Sequence, residues 1–156
     1  MVLAGKLSTE IGIKSPSVKF FNLFATQLHD VQNHCERVVQ TKLHEGDWHG
    51  VGVGSVKHWT NVIDGKAITL EERIEAIDEE KKTIKHSIYG GDISPHYKTF
   101  TLILQVIDKN DGGDAVDVVK WTIEYEKLDE DIEPPHGWME FLNKGTRDID
   151  ANLLKA

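Results

Sequence analysis

Four glycines, Gly46, Gly50, Gly52 and Gly54, punctuate the stretch LHEGDWHGVGVGSVKHW. Glycine-rich turns cradle phosphates when they open a helix whose N-terminal amides face the anion. The other requirements are missing here. A P-loop ends in Gly-Lys-Ser/Thr, whereas Gly54 runs directly into Ser55. A dinucleotide fingerprint needs G-x-G-x-x-G at the head of a helix. This stretch is G-x-G-x-G, and residues 56–60 alternate like a strand. Glu45 and Asp47 would also repel phosphate. The stretch reads as an adaptable loop joining two strands at the rim of a sheet.

The remaining chemistry-bearing residues are few. His44, Glu45, His49 and His58 crowd together, but the spacing from His44 to His49 is not the i, i+4 pair of a zinc helix. No metal is expected. Cys35 is the single cysteine; it excludes an intramolecular disulfide, suits a reducing compartment and reads as an inert thiol. His86 shares the period-two phase of Ile84 and Ile88, so it should point inward. Its imidazole can hydrogen-bond a ligand hydroxyl or carboxylate; the plainer reading is a core histidine satisfied by a neighbour. Lys57 shares the phase of Trp59. A buried amine there would be a base or a Schiff-base former; a lysine that snorkels to solvent is the plainer reading. Glu71-Glu72-Arg73 and Asp78 to Lys82 read as solvated surface. No Ser/His/Asp arrangement is present, so no catalytic residue is assigned.

The elements that must position these residues follow from periodicity. Residues 2 to 13 alternate loosely, as a strand. Ser15-Pro16 is a helix start, with Ser as N-cap and Pro in the first turn. Val18, Phe21, Phe24, Leu28 and Val31 then follow a helical face, giving one or two short helices up to Cys35. From there the period is two. Val38, Val39 and Leu43 mark one strand and Val56 to Val62 another. Asp64-Gly65 is a hairpin turn leading to a strand from Ala67 to Ile77. Thr83 to Tyr89 runs back, and Gly90-Gly91-Asp92 with Pro95 breaks it. Tyr97 to Ile107 alternates cleanly, Asn110-Asp111-Gly112-Gly113 turns the chain, and Val119, Trp121, Ile123 and Tyr125 share a face of the last strand. After Pro134-Pro135 one long helix places Trp138, Phe141, Leu142, Gly145, Ile149 and Leu153 on one side. About seven strands in sequence make an antiparallel meander. Such a sheet is roughly 30 Å wide, against about 10–12 Å for a helix. The sheet must therefore curl around the helix, or the short helices must close the remainder. Periodicity does not say whether the interior is packed solid or hollow.

Bulk properties narrow the function classes. The 156 residues form a single domain spanning 1–156, large enough to bury a core. No run approaches the roughly 18 apolar residues of a membrane span, and the start of the chain is too briefly apolar for a signal peptide. A soluble, cytoplasmic protein without stable membrane insertion is expected. Acidic residues outnumber basic ones by 26 to 18, a formal charge of −8, and no basic face is present to displace nucleic-acid counterions. No nucleic-acid partner is expected, and the oligomeric state reads as monomer or weak dimer.

Five segments carry a family resemblance: GKLSTEIGIKSP, HEGDWHGVGVGSVKHW, IDGKAITLEERIEAIDEE, VVKWTIEYEKL and FLNKGTRDIDANLL. They resemble the plant major latex proteins, a branch of the birch-pollen-allergen, pathogenesis-related class 10 superfamily, nearly end to end. The resemblance implies an α+β helix-grip fold. In it a curved seven-stranded antiparallel sheet wraps a long C-terminal helix, with two short helices after the first strand and a large apolar cavity inside. It also implies binding and carriage or storage of a hydrophobic small-molecule ligand (a lipid, a steroid or a secondary metabolite), a place in plant defence, and no cofactor. The same superfamily contains a condensing synthase that uses a lysine, a tyrosine and carboxylates. Lys57, His86 and Tyr97 are the comparable groups here, without a residue-by-residue match. An enzyme of secondary metabolism, of synthase or isomerase type, is thus the alternative. The superfamily's hormone receptors carry a Ser-Gly-Leu-Pro gate and a His-Arg-Leu latch; this chain has Asp64-Gly65-Lys66-Ala67 and Gly90-Gly91-Asp92 at those turns.

The inward faces nominate the residues of such a cavity. From the strands they are Trp59, Ile74, His86, Ile88, Phe100, Leu102, Leu104, Trp121 and Ile123. From the short helices they are Phe21, Phe24, Leu28 and Val31. From the long helix they are Trp138, Phe141, Leu142 and Gly145, whose missing side chain leaves room beside the helix. Ordinary core packing would place the same residues inside. As a set, with wide aromatics and few polar groups, they suit an apolar ligand with a polar end.

Overall fold

The computed structural model describes residues 3–46, 48, 55–108 and 117–155. The strands are β1 (Ala4–Ile13), β2 (Val38–Glu45), β3 (Val56–Ile63), β4 (Lys66–Asp78), β5 (Thr83–Tyr89), β6 (Tyr97–Ile107) and β7 (Asp117–Lys127). Helix α1 covers Ser17–Thr26, a short 3-10 helix covers Leu28–Asn33, and α2 covers His136–Lys155. Gly50, Gly52, Gly54, Asp47 and His49 lie outside the described residues, as does the turn expected at Asn110-Asp111-Gly112-Gly113.

All neighbouring strands are antiparallel, in the order β1-β7-β6-β5-β4-β3-β2. β1 and β2 are the two edges, and α1 with the 3-10 helix carries the chain from one edge to the other. Alternation is strict where the sheet faces the core: Leu102, Leu104 and Val106 of β6 are buried while their neighbours are only half-buried. Register shifts bend the ladder at Ile74/Ala76, Val38/Gln40, Leu43/Glu45 and Tyr97/Thr99. Such bulges increase local twist, which lets a sheet wider than a helix close around one. The β3–β4 turn takes positive φ at both central residues, Asp64 (53°) and Gly65 (76°). That is the type I′ geometry whose twist matches the flanking strands.

Helix α2 runs along the concave face and is tied to both sides. Asn143 Oδ1 accepts from the Thr9 hydroxyl of β1 at 2.9 Å, and the Asp150 carboxylate accepts from the backbone amides of Lys14 and Ser15. On the other side Asn152 donates to the His34 carbonyl at 3.1 Å, and Arg37 pairs with Asp148. These bonds fix the helix relative to the short-helix segment, and so set the shape of the space between.

Two local expectations are corrected. The hydroxyl of Ser15 donates to Asp150 and does not cap α1; Pro16 occupies the cap position, and the Ser17 amide donates to Asp117 at 3.1 Å. A tertiary carboxylate thus serves the end that a local serine would have served. Val18 is exposed, and the inner face of α1 is Phe20, Phe21, Leu23 and Phe24. Four apolar residues within five positions leave spacing alone unable to fix the helix's rotation.

Candidate functional site

Between α2, the short-helix segment and the sheet lies a cavity of about 60 Å³, partly open to solvent. Two aromatic groups border it. Phe24 meets Trp121 edge-on at 5.5 Å between centroids, and Trp138 packs against Phe100 at 5.1 Å and Phe141 at 5.7 Å. Of these aromatics Phe24, Trp121, Trp138 and Phe141 line the cavity, and Phe100 backs Trp138 from the core.

The lining contains Phe24, Val31, Trp59, His86, Ile88, Leu102, Trp121, Trp138, Phe141, Leu142 and Gly145 from the nominated set. Phe21, Leu28, Ile74, Phe100, Leu104 and Ile123 are buried in the surrounding core and do not line it. Sequence reasoning did not nominate Cys35, Val38, Asn61, Leu70, Glu72, Thr146 or Ile149, all of which line it. The signal was available for most of them. Leu70 and Glu72 share the phase of Ile74, Asn61 that of Trp59, and Thr146 and Ile149 continue the helical face of Leu142 and Gly145.

Glu72 is the principal correction. Read as solvated surface, it is only 5% exposed and faces inward from β4. Lys57, read as snorkelling, is fully buried. The two are direct cross-strand partners, and His86 sits on the next strand opposite Ile74. Charged residues can turn inward at these positions because each finds a polar or charged neighbour, Glu72 at His86 and Lys57 at backbone and hydroxyl oxygens with the Glu72 charge nearby. His86 Nδ1 lies 3.1 Å from Glu72 Oε2. Burial pushes the Glu72 carboxyl up, but the charge and contact of His86, the charge of Lys57 and the nearby Trp59 indole outweigh it. The group is held below the usual glutamate value. Burial pulls the Lys57 ammonium below the usual lysine value, with Glu72 opposing.

Lys57 does not turn into the cavity. Its Nζ donates to the Trp48 carbonyl at 3.0 Å, with Ser55 Oγ at 3.5 Å. The Trp48 ring meets His29 of the 3-10 helix edge-on at 5.9 Å. Lys57 therefore anchors one point of the glycine-rich connection. That connection leads into β3, a strand, so the helix a phosphate loop requires is not there.

Polar atoms inside the cavity divide into satisfied and unsatisfied. Trp121 Nε1 donates to Thr146 Oγ1 at 2.8 Å. Trp59 Nε1, Asn61 Oδ1, Glu72 Oε1 and His86 Nε2 are buried without a hydrogen-bond partner. Cys35 lines the wall with its thiol pushed up by burial, an unreactive form. Tyr97 is not part of the lining; its hydroxyl donates to the Glu133 carbonyl at 2.9 Å. No cluster of metal-ligating groups occurs among the described residues. Nor is any helix among them long and apolar enough to cross a membrane.

Comparison with known proteins agrees with this architecture. MLP-like protein 31 of Arabidopsis thaliana is 39% identical over 153 residues, covering 97% of this chain and 87% of that protein. MLP-like protein 34 of the same plant is 39% identical over 149 residues, but this chain spans only 46% of its length. A crystal structure of ginseng major latex-like protein 151 from Panax ginseng superposes with a TM-score of 0.89 at 37% identity, covering 97% of this chain and 99% of that one. The pathogenesis-related protein Bet v 1 family model matches residues 2–156, and this chain, with its seven-stranded sheet gripping a C-terminal helix, belongs to that family.

Proposed function

We propose that the protein binds and carries or stores an apolar small molecule in the cavity between sheet and α2. The observation that supports this most directly is a lining dominated by Phe24, Trp59, Trp121, Trp138, Phe141 and aliphatic side chains, around space that the side chains leave unfilled. Well-packed interiors rarely contain voids larger than a water molecule. A ligand burying about 300 Å² of apolar surface would gain on the order of 7 kcal/mol before ordering costs. Membership of the Bet v 1 family and similarity to major latex-like proteins point the same way. Ligands in the lipid, steroid or secondary-metabolite range suit such a lining.

Native mass spectrometry of the purified protein, alone and with decane-saturated buffer, tests the proposal. A one-to-one adduct that disappears in the cavity-filling variant Gly145→Phe, with the fold retained by circular dichroism, is expected. A wild-type protein that takes up no apolar molecule overturns it.

A second reading, acid–base catalysis on the bound molecule, draws on the Glu72–His86 pair. Of the three groups first considered for such chemistry, only His86 reaches the cavity; Lys57 is committed to Trp48 and Tyr97 to Glu133. Ligand turnover lost in His86→Ala would favour this reading, and recovery of every tested ligand unchanged would dismiss it.

A further inference from the structure

We propose that Trp59, Glu72 and His86 form a subsite that recognises a hydroxyl group, so that the cavity prefers apolar alcohols to ethers, acids or hydrocarbons of the same length. The inference rests on the apolar-cavity reading above and adds the chemical class of the ligand's polar end.

The three side chains project from adjacent strands β3, β4 and β5. Trp59 pairs in register with Leu70, two residues from Glu72, and His86 pairs with Ile74, two residues on the other side. All three line the cavity, and their exposures are 6%, 5% and 1%. Each nonetheless keeps a buried polar atom that makes no well-formed hydrogen bond: Trp59 Nε1, Glu72 Oε1 and His86 Nε2, with the Trp59 indole near enough to Glu72 to favour its ionised form but not bonded to it in good geometry. Native proteins satisfy most buried polar groups, so three such atoms on adjacent side chains in the wall of one cavity mark a place where something else supplies the bonds.

These atoms specify what that is. Trp59 Nε1 is a donor only and an ionised Glu72 oxygen is an acceptor only, whereas His86 Nε2 takes either role with its tautomer. The missing group must therefore donate and accept at once. A hydroxyl does both: its O–H donates to Glu72 Oε1 and its lone pairs accept from Trp59 Nε1. A carboxylate accepts from Trp59 but leaves Glu72 Oε1 unpaired and places like charges together. An ammonium donates to Glu72 but gives the Trp59 N–H nothing to bond. An ether lacks the donor, and a hydrocarbon satisfies neither group. Among the described residues no lysine or arginine lines the cavity to favour an acid, since Lys57 is turned toward the Trp48 carbonyl.

The test is isothermal titration of the full chain with decanol, methyl decyl ether, decanoic acid and decane near neutral pH. Decanol is expected to bind at least about tenfold tighter than each of the others, the scale of one charge-assisted hydrogen bond. In Glu72→Gln the amide can turn its NH₂ toward an ether oxygen, and the preference for alcohol over ether is expected to fall within about threefold. A measurement on unaltered Glu72 covers the case in which that variant does not fold. The Trp59 indole N–H resonance, assigned with Trp59→Phe, should move when decanol binds and stay when decane binds. Equal binding of decanol and ether, tighter binding of the acid, or an indole resonance indifferent to decanol overturns the hydroxyl subsite and leaves the cavity reading standing. Failure of all four compounds to bind overturns both.

Discussion

Glu72 Oε2 lies 3.1 Å from His86 Nδ1 across β4 and β5, and both side chains are almost wholly shielded from solvent. Lys57, on the far side of Glu72 in β3, completes a buried row of ionisable groups. Burying charges costs several kcal/mol each, and the attraction between partners offsets this only while all of them are present. The row is therefore a stability determinant with a defined pH signature.

That signature appears first in acid. Glu72 is held below its unfolded value of 4.5. A carboxyl lowered by folding contributes stability that is fully present above the unfolded value and is lost as pH falls through the folded one. Urea unfolding from about pH 6 to about pH 3 should therefore show a steeper loss in the wild type than in Glu72→Gln. Near neutrality Glu72→Gln should be about 3 kcal/mol less stable, because it removes the carboxylate that pairs with His86 and offsets the Lys57 charge. Parallel acid profiles for the two proteins would contradict the assignment.

Lys57 gives the opposite limb. Its ammonium is lowered below the unfolded value of 10.5. Between the folded and unfolded values the unfolded chain binds more protons, so this group makes stability rise with pH across that window. Subtracting the alkaline profile of Lys57→Met from that of the wild type should isolate the rising component. A flat difference would show that Lys57 titrates alike in both states.

The Trp121–Thr146 bond joins β7 to α2 beside the cavity, at 2.8 Å and fully buried. Thr146→Val keeps the shape but leaves the Trp121 indole N–H unpaired. A loss of about 1–3 kcal/mol in urea unfolding is expected. Trp121→Phe in the Thr146→Val background should recover part of it, since both partners are then apolar. No recovery would show that the unpaired indole N–H is not what costs the single variant its stability.

Gly145 faces Cys35 across the cavity wall. A Cβ there would approach Cys35 Sγ to 3.3 Å, so the thiol must give way by a few tenths of an ångström. Replacing glycine by alanine inside a helix gains about 1 kcal/mol of propensity. Gly145→Ala should therefore stabilise the Cys35→Ala variant by about that amount and the wild type by less. A double-mutant cycle in urea measures the difference. Zero coupling would show that Cys35 moves aside freely.

Much of this molecule was legible in its residues. Period-two alternation, the Asp64-Gly65 pair and the Pro134-Pro135 boundary placed most strands and the long helix, because each is a local relation between neighbours in the chain. The width of seven strands against one helix left two solutions, a curled sheet or closure by the short helices, and family resemblance supplied the curled sheet and the hollow interior. Tertiary structure decided what local pattern could not. Ser15 gave up the capping role because Asp150, far away in the chain, reached it. Glu72 and Lys57 carry the charges of surface residues, and only the cross-strand register, with His86 opposite, makes their burial tolerable. Which inward residues border the cavity, such as Leu102 and Ile88, and which fill the core beyond it, such as Leu104 and Ile74, depends on where α2 rests against the sheet. That placement is set by bonds between residues more than a hundred positions apart, and no short stretch of sequence contains it.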